Sequence, residues 1–288
     1  MKFTKFTVFC SVVACMLLIG SLAGAQETLV LYDNFEGKTL NPEKWFGGAG
    51  TDSGMVTLEM SRLIKNETLL GSKALSLSNR SYANTDSDDG HSTASTRIHF
   101  SDGSNIKTIV ATVLVKKIQV PECSTNDYVT EVRARIGGGF FNAGTRTPGS
   151  YTDDVWAQIT VGRALDSEDP ADTLQVYGRV YRCNDANCNS PTYISTKQEL
   201  GTAKLNKKVK LRVTWDPDNN QFIFQKGKGE EFVVPYEVSD ANVPGGSNGG
   251  MKRLEIQEFL PNCSSEPRPV GYIDASFDNV MVNESTPP

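Results

Sequence analysis

Three short runs of the chain place reactive side chains on one side of an alternating pattern. In 130–136, Glu131, Arg133 and Arg135 alternate with Val132, Ala134 and Ile136. In 155–161, Trp156, Gln158 and Thr160 alternate with Val155, Ala157, Ile159 and Val161. In 174–181, Gln175, Tyr177, Arg179 and Tyr181 alternate with Leu174, Val176 and Val180. Successive side chains of a strand point to opposite faces, and sequential strands tend to be neighbours in a sheet. The three runs therefore predict one apolar face and one face of arginine, tryptophan, glutamine and tyrosine. Such a face suits a sugar: aromatic rings cover pyranose C–H groups, and amides and guanidinium groups bond the hydroxyls. Arginine also pairs two-pronged with carboxylate or sulfate, which points to an acidic polysaccharide. The predicted binding set is Arg133, Arg135, Trp156, Gln158, Tyr177 and Arg179. The bland alternative is a solvated face with Glu131–arginine pairs, or one covered by the segment 137–152.

Nucleophilic and metal chemistry have little material. The chain holds two histidines, His91 and His99, eight positions apart, and both read as surface or packing residues. Glu255 and Glu258 are three apart, a spacing that sends two carboxylates to opposite faces of a strand.

The elements that must hold such a face are strands. Runs rich in Val, Ile, Thr, Tyr and Phe recur at 106–120, 129–136, 155–161, 174–181, 209–215, 222–225, 254–259 and 275–282, separated by Gly, Pro, Asn and Asp. No mature segment keeps a helical period, and no linker or repeat divides the chain. Trp215-Asp-Pro-Asp-Asn-Asn-Gln-Phe222 is a tight reversal, with Pro217 presetting one dihedral. Segments 137–152 and 242–250 and the neighbourhood of Pro170 read as loops. Many strands without helical crossovers predict an all-β fold, a two-sheet antiparallel sandwich in one domain over 26–283.

The first 25 residues read as a secretory signal: Lys2 and Lys5, an apolar run over 8–19, then Ala23-Gly-Ala25 before Gln26. A membrane anchor would need ~20 apolar residues, and a lipoprotein acylated on Cys15 would have turned polar sooner. The expected location is secreted, periplasmic or cell-surface, with no membrane span, and the expected state is a monomer with a frayed tail over 284–288. Four cysteines then remain. An even count in an exported chain favours disulfides: Cys183–Cys188 across a polar turn, with Cys123–Cys263 left by elimination. Zinc is the competing reading, but no histidine lies near either pair. The formal charge of -5 argues against broad nucleic-acid binding. Four N-x-[ST] strings, at Asn66, Asn79, Asn262 and Asn283, would be glycan acceptors in a eukaryotic secretory pathway.

Leu31-Tyr-Asp-Asn-Phe-Glu-Gly37 with Leu40-Asn-Pro-Glu-Lys-Trp45, the closing Ala275-Ser-Phe-Asp-Asn-Val280 and the Trp215–Phe222 hairpin together resemble concanavalin A-like lectin and glucanase jelly rolls. The resemblance implies a jelly roll whose first and last strands lie side by side, burying Phe35 with Phe277, with Trp45 and Trp215 in the core. It implies a saccharide on one sheet face. It also implies a structural calcium where the ends meet, with Asp33, Glu36 and Asp278 as oxygen donors. The E-x-D-x-E or E-x-D-x-x-E string of retaining glucanases of this fold is missing, which leaves a non-catalytic glycan binder as the first reading. A polysaccharide lyase is the enzymatic alternative. Thr130-Glu-Val-Arg133, Gln158-Ile-Thr160 and Phe222-Ile-Phe-Gln-Lys-Gly227 resemble, in order, the strings of alginate-lyase-like jelly rolls. Val129 and Thr160 replace that pattern's first arginine and its histidine, and its tyrosine is missing. Arg133 would neutralise a uronate carboxylate there, with Tyr177 or Tyr181 as base. A structural or adhesive protein that displays its loops is the third reading.

Overall fold

The structure is a computed structural model that describes residues 28–283 apart from 48, 52–53 and 247–249. The expected signal over 1–25 and the expected frayed tail over 284–288 lie outside the described residues. Alternation of buried and exposed positions builds two antiparallel sheets. One sheet has β4 (Met55–Glu67) and β15 (Glu231–Pro235) at its two ends. Between them, from the β15 side, run β14 (Gln221–Lys226), β13 (Val209–Asp216), β7 (Thr108–Gln119), β17 (Val270–Asn283) and β5 (Ser72–Ala83); β1 (Leu29–Asp33) joins β17. The other sheet runs from β2 (Trp45–Phe46) through β6 (His91–Phe100), β16 (Lys252–Pro261), β8 (Glu131–Asn142), β9 (Asp154–Ala164) and β10 (Thr173–Cys183) to β11 (Pro191–Tyr193). Two short strands complete it: β3 (Ala49–Thr51) on β6 and β12 (Gln198–Lys204) on β10.

The eight strands read from the sequence all form, most of them longer than their apolar cores. β17 pairs with β1, so the two ends of the fold do meet, and Phe35 and Phe277 are both fully buried. Trp45 is buried and Trp215 half-buried against the same core. The reversal after Trp215 is a short 3-10 turn at Pro217–Asn219, closed by Asn220 in the left-handed region. Both disulfides form as expected. Among the described residues no helix is long and apolar enough to cross a membrane.

Two expectations are corrected. Residues 137–142 are not loop: they continue β8, and Gly137 and Gly138 are needed there. A Cβ on Gly137 would sit 2.2 Å from the carbonyl oxygen of Ala157, and one on Gly138 equally close to that of Met251. The sequon asparagine Asn79 is 2% exposed and donates its amide to Glu258, which leaves no room for a glycan; Asn66 is exposed.

That contact belongs to an unusual inter-sheet site. Glu258 is fully buried and points between the sheets, where Asn79 Nδ2 donates to its Oε2 at 2.7 Å and Ser81 donates to the same oxygen. Its other oxygen has no hydrogen-bond partner. Burial pushes the carboxyl up to about 8, against the opposing pull of Ser81 and Asn79. The folded protein then holds a proton that the unfolded chain releases near 4.5. The stabilisation is complete below the unfolded value and is lost as pH rises to about 8. Over that window the wild type is expected to lose up to about 1.4 kcal/mol per pH unit from this group, and Glu258→Gln to lose none of it. Urea unfolding at pH 5 and pH 8 checks this; an equal gap between variant and wild type at both values would sink it.

Candidate functional site: a cationic groove on one sheet

Registry brings the three reactive runs together. Arg135 lies opposite Thr160, and Thr160 opposite Tyr177; Gln158 lies opposite Arg179, and Trp156 opposite Tyr181. All six predicted residues share one sheet face, away from the core. The sequence alternation missed two further contributors. β16 adds Arg253, Glu255 and Gln257, paired with Gly137, Arg135 and Arg133, and β6 adds His91, Ser95 and Arg97 beyond it. Their alternation is present in the sequence, but only sheet order shows that β16 flanks β8 and that β6 lies beyond β16. The face forms a groove of about 590 Å³.

The groove floor is held by ion pairs and hydrogen bonds. Glu255 is fully buried; Arg135 Nε donates to it at 2.6 Å, and Arg253 and Arg97 form ion pairs with it at 2.8 Å and 3.7 Å. Burial alone would raise its pKa, but Arg135, Arg253 and Arg97 outweigh that and hold the carboxyl at about 2. Arg135 donates its other arm to Gln158 at 2.6 Å. Arg133 donates to Gln257 at 2.8 Å, to Glu131 at 3.2 Å and to the Tyr177 hydroxyl at 3.1 Å, and lies 4.4 Å over the Phe259 ring. The Tyr177 hydroxyl in turn donates to Glu131. Burial raises the Tyr177 pKa, only partly opposed by Arg133. Burial raises and Arg133 and Tyr177 lower that of Glu131, with a net depression.

These bonds divide the predicted set. Arg133, Arg135, Gln158 and Trp156 are about 5% exposed and Tyr177 is 1% exposed. Tyr177 lies beneath the groove and is not part of its lining. Trp156 does not offer an open ring: the Arg253 guanidinium lies 4.9 Å above it, and its indole N–H is buried without a partner. Arg179 differs. It is half-exposed, lies between the rings of Tyr193 (4.9 Å) and Tyr177 (5.4 Å), and makes no hydrogen bond or ion pair with a described residue. Open aromatic surface comes instead from Tyr181, stacked on Trp156, and from Tyr193, which is 52% exposed. The segment 137–152 does not cover the face; Tyr151 and the Cys183–Cys188 turn form its wall. Five arginines (97, 133, 135, 179 and 253) against Glu131 and Glu255 leave a formal excess of three positive charges, in a chain whose net charge is -5.

The two histidines both fall on this face. His91 is exposed and stacks on Tyr128 at 4.2 Å. His99 is buried, and burial first, then Arg253 and Arg97, drive its pKa down to about 3. The calcium donors do not converge. Asp33 accepts from the Phe35 amide and the Trp45 indole, Glu36 from the Lys73 amide, and Asp278 from Ser72 and Asn279. Among the described residues the one set of three acidic, histidine or cysteine ligand atoms within 4.8 Å is Asp88 with Cys123 and Cys263, whose sulfurs are bonded to each other. The three carboxylates therefore do not fit a shared calcium cage. The lyase comparison also loses a part: Gln158 and Arg133 do share the groove, but Phe222–Gly227 falls on β14 and the turn after it, in the opposite sheet.

The chain is an all-β, two-sheet jelly-roll sandwich with a grooved sheet face. No family model matches it, and no curated protein matches it. Similar solved structures include the catalytic domain of an endo-1,3-beta-glucanase (laminarinase) from Thermotoga petrophila RKU-1, at 13% identity and a TM-score of 0.43, covering 91% of this chain and 100% of that one. Another is the carbohydrate recognition domain of Emp46p in its potassium-bound form, at 12% identity and a TM-score of 0.31, covering 79% and 89%. A third is lectin I-B4 from Griffonia simplicifolia, at 11% identity and a TM-score of 0.26, covering 87% and 98%.

Removing Glu255 would leave Arg135 and Arg253 buried without their counter-charge. Glu255→Ala is expected to cost about 3–5 kcal/mol in urea unfolding. A loss below about 1 kcal/mol would mean that the arginines find other partners, and that the floor is not organised around this carboxylate.

Proposed function

We propose that the groove binds a glycan chain carrying carboxylate or sulfate groups, and that the protein is an exported, non-catalytic binder of acidic polysaccharide. The carrying observation is the Arg179 guanidinium, which is positioned by two tyrosine rings yet makes no hydrogen bond or ion pair with a described residue. A planar fork held in place and left unpaired suits a carboxylate or sulfate, because ordering it at the moment of binding costs little. The excess of positive charge around it concentrates anions locally despite the acidic chain. Tyr181 and Tyr193 beside it offer ring faces to a pyranose. Arg133, Arg135, Gln158, Trp156 and Tyr177 then serve as the scaffold that holds the groove open. Export rests on the signal-like first 25 residues and on the two disulfides.

The lyase reading keeps one supporting observation, the meeting of Arg133, Glu131 and Gln158. Of its two candidate bases, Tyr177 is buried with its pKa raised, which leaves Tyr181, half-exposed in the groove. The adhesive reading draws on loops that here wall the groove.

Affinity gels containing polygalacturonate, dextran sulfate or neutral laminarin test the proposal. Retention is expected on at least one of the two anionic gels, weakening as salt rises, and not on laminarin. Arg179→Ala is expected to weaken it roughly 10- to 100-fold, the worth of a charge-assisted pair. Equal retention of Arg179→Ala and wild type would remove Arg179 from the site, and no retention on either anionic gel would remove the proposal. Release of unsaturated uronate from polygalacturonate, read by ultraviolet absorbance, would replace binding with lyase activity.

A further inference from the structure

The groove carries a second aromatic platform, formed by β6, β16 and the segment before β8, that the binding reading above does not use. His91, on β6, stacks nearly flat on Tyr128, with ring centroids 4.2 Å apart and planes 13° from parallel. Phe259, on the neighbouring β16, lies 5.6 Å from the same imidazole, and all three line the groove. His91 is exposed, while Tyr128 and Phe259 are half-buried. The ion-paired floor supports this platform from within, because Arg133 packs its guanidinium on the Phe259 ring.

The separation follows from one strand. Phe259 belongs to this platform, and Arg253, six residues earlier on β16, lies over Trp156 at the Arg179 end. Six residues of strand span roughly 20 Å, several sugar units. Between the two platforms the floor is polar: Gln257 and Ser95 flank Arg133 and Arg135. Apolar rings at both ends of a cationic trough match a ligand that repeats along its length: ring faces at each end and charged substituents between. A single terminal sugar could not touch both ends.

We propose that His91, Tyr128 and Phe259 form a second pyranose-binding subsite, so that the groove takes an internal stretch of an anionic polysaccharide and not a chain end. This rests on the groove being a glycan site. The experiment separates the two ideas by ligand length. Galacturonate oligomers are titrated calorimetrically, or sulfated galactan oligomers if dextran sulfate was the polymer retained. Short probes of two or three residues and long probes of eight or more are compared on the wild type, His91→Ala, Tyr128→Leu and Arg179→Ala, each first shown by thermal unfolding to be folded.

The wild type is expected to bind long probes at least tenfold more tightly than short ones. His91→Ala and Tyr128→Leu should each erase much of that gain, about 3- to 10-fold on long probes, while leaving short probes unchanged. Arg179→Ala should weaken both. If long and short probes bind the wild type equally, or if both platform variants bind long probes as the wild type does, the second subsite is wrong and the Arg179 site stands. If the platform variants weaken short probes as much as long ones, the rings act on the same subsite as Arg179 and the two-platform proposal fails. If the wild type binds neither probe, the glycan reading itself falls, and this inference with it.

Discussion

A carboxylate with no exposure to water organises this protein's working face. Glu255 projects from β16 into the layer of guanidinium groups that β8, β6 and β16 itself supply, accepts a hydrogen bond from Arg135 and pairs ionically with Arg253. Charged groups are stable at such depth only when paired and hydrogen-bonded. The pairing fixes where the arginines lie, and through Gln158 and Arg253 it extends to β9 and the Trp156 ring. A second knot, Arg133 with Gln257, Glu131 and Tyr177, locks the lower half of the floor in the same way. Both faces of β8 and β9 are consequently buried, one by the apolar core and one by this polar layer.

Because the floor is internally satisfied, it has little left to offer a ligand, and residues at its border are left to do so. Arg179 is held by rings and not by a carboxylate, so its donors remain unspent. Arg97 and Arg253 share Glu255 with Arg135, and one carboxylate cannot neutralise three guanidinium groups. The local positive field is the residue of that imbalance. It coexists with an acidic chain because the acids lie mostly elsewhere: Glu131 is the one carboxylate among the groove-lining residues.

The opposite side of the same strand shows the reverse economy of charge. Glu258 points between the sheets, where no cation meets it, and the pair Asn79 and Ser81 supplies hydrogen bonds only. Its carboxyl is accordingly pushed up, while that of Glu255, three residues away, is held down. Two glutamates of one strand thus sit in opposite protonation regimes because strand geometry sends them to different sides of a sheet.

Strands whose one face is Val, Ile, Leu or Phe were legible from the sequence, and so were the meeting of the chain ends and the disulfide pairs. β4 and β5 were not, because the inward positions of β5 include Asn79 and Ser81, which carry no apolar signal. The shared face of Arg133, Trp156 and Tyr177 was legible too, since a period of two is local. What those side chains do there was not. Trp156 and Tyr177 look like sugar platforms by type, yet both are covered, whereas Arg179, His91 and Tyr193 are the groups in reach of a ligand. Alternation along a strand decides which face a residue joins, and that much the sequence determined alone. Whether the residue is spent on a neighbour or left for a partner depends on sheet order, which placed Glu255 beside Arg135 and no hydrogen-bonding carboxylate beside Arg179 among the described residues; those neighbours lie tens of residues apart in the chain, and only the folded sheet decided them.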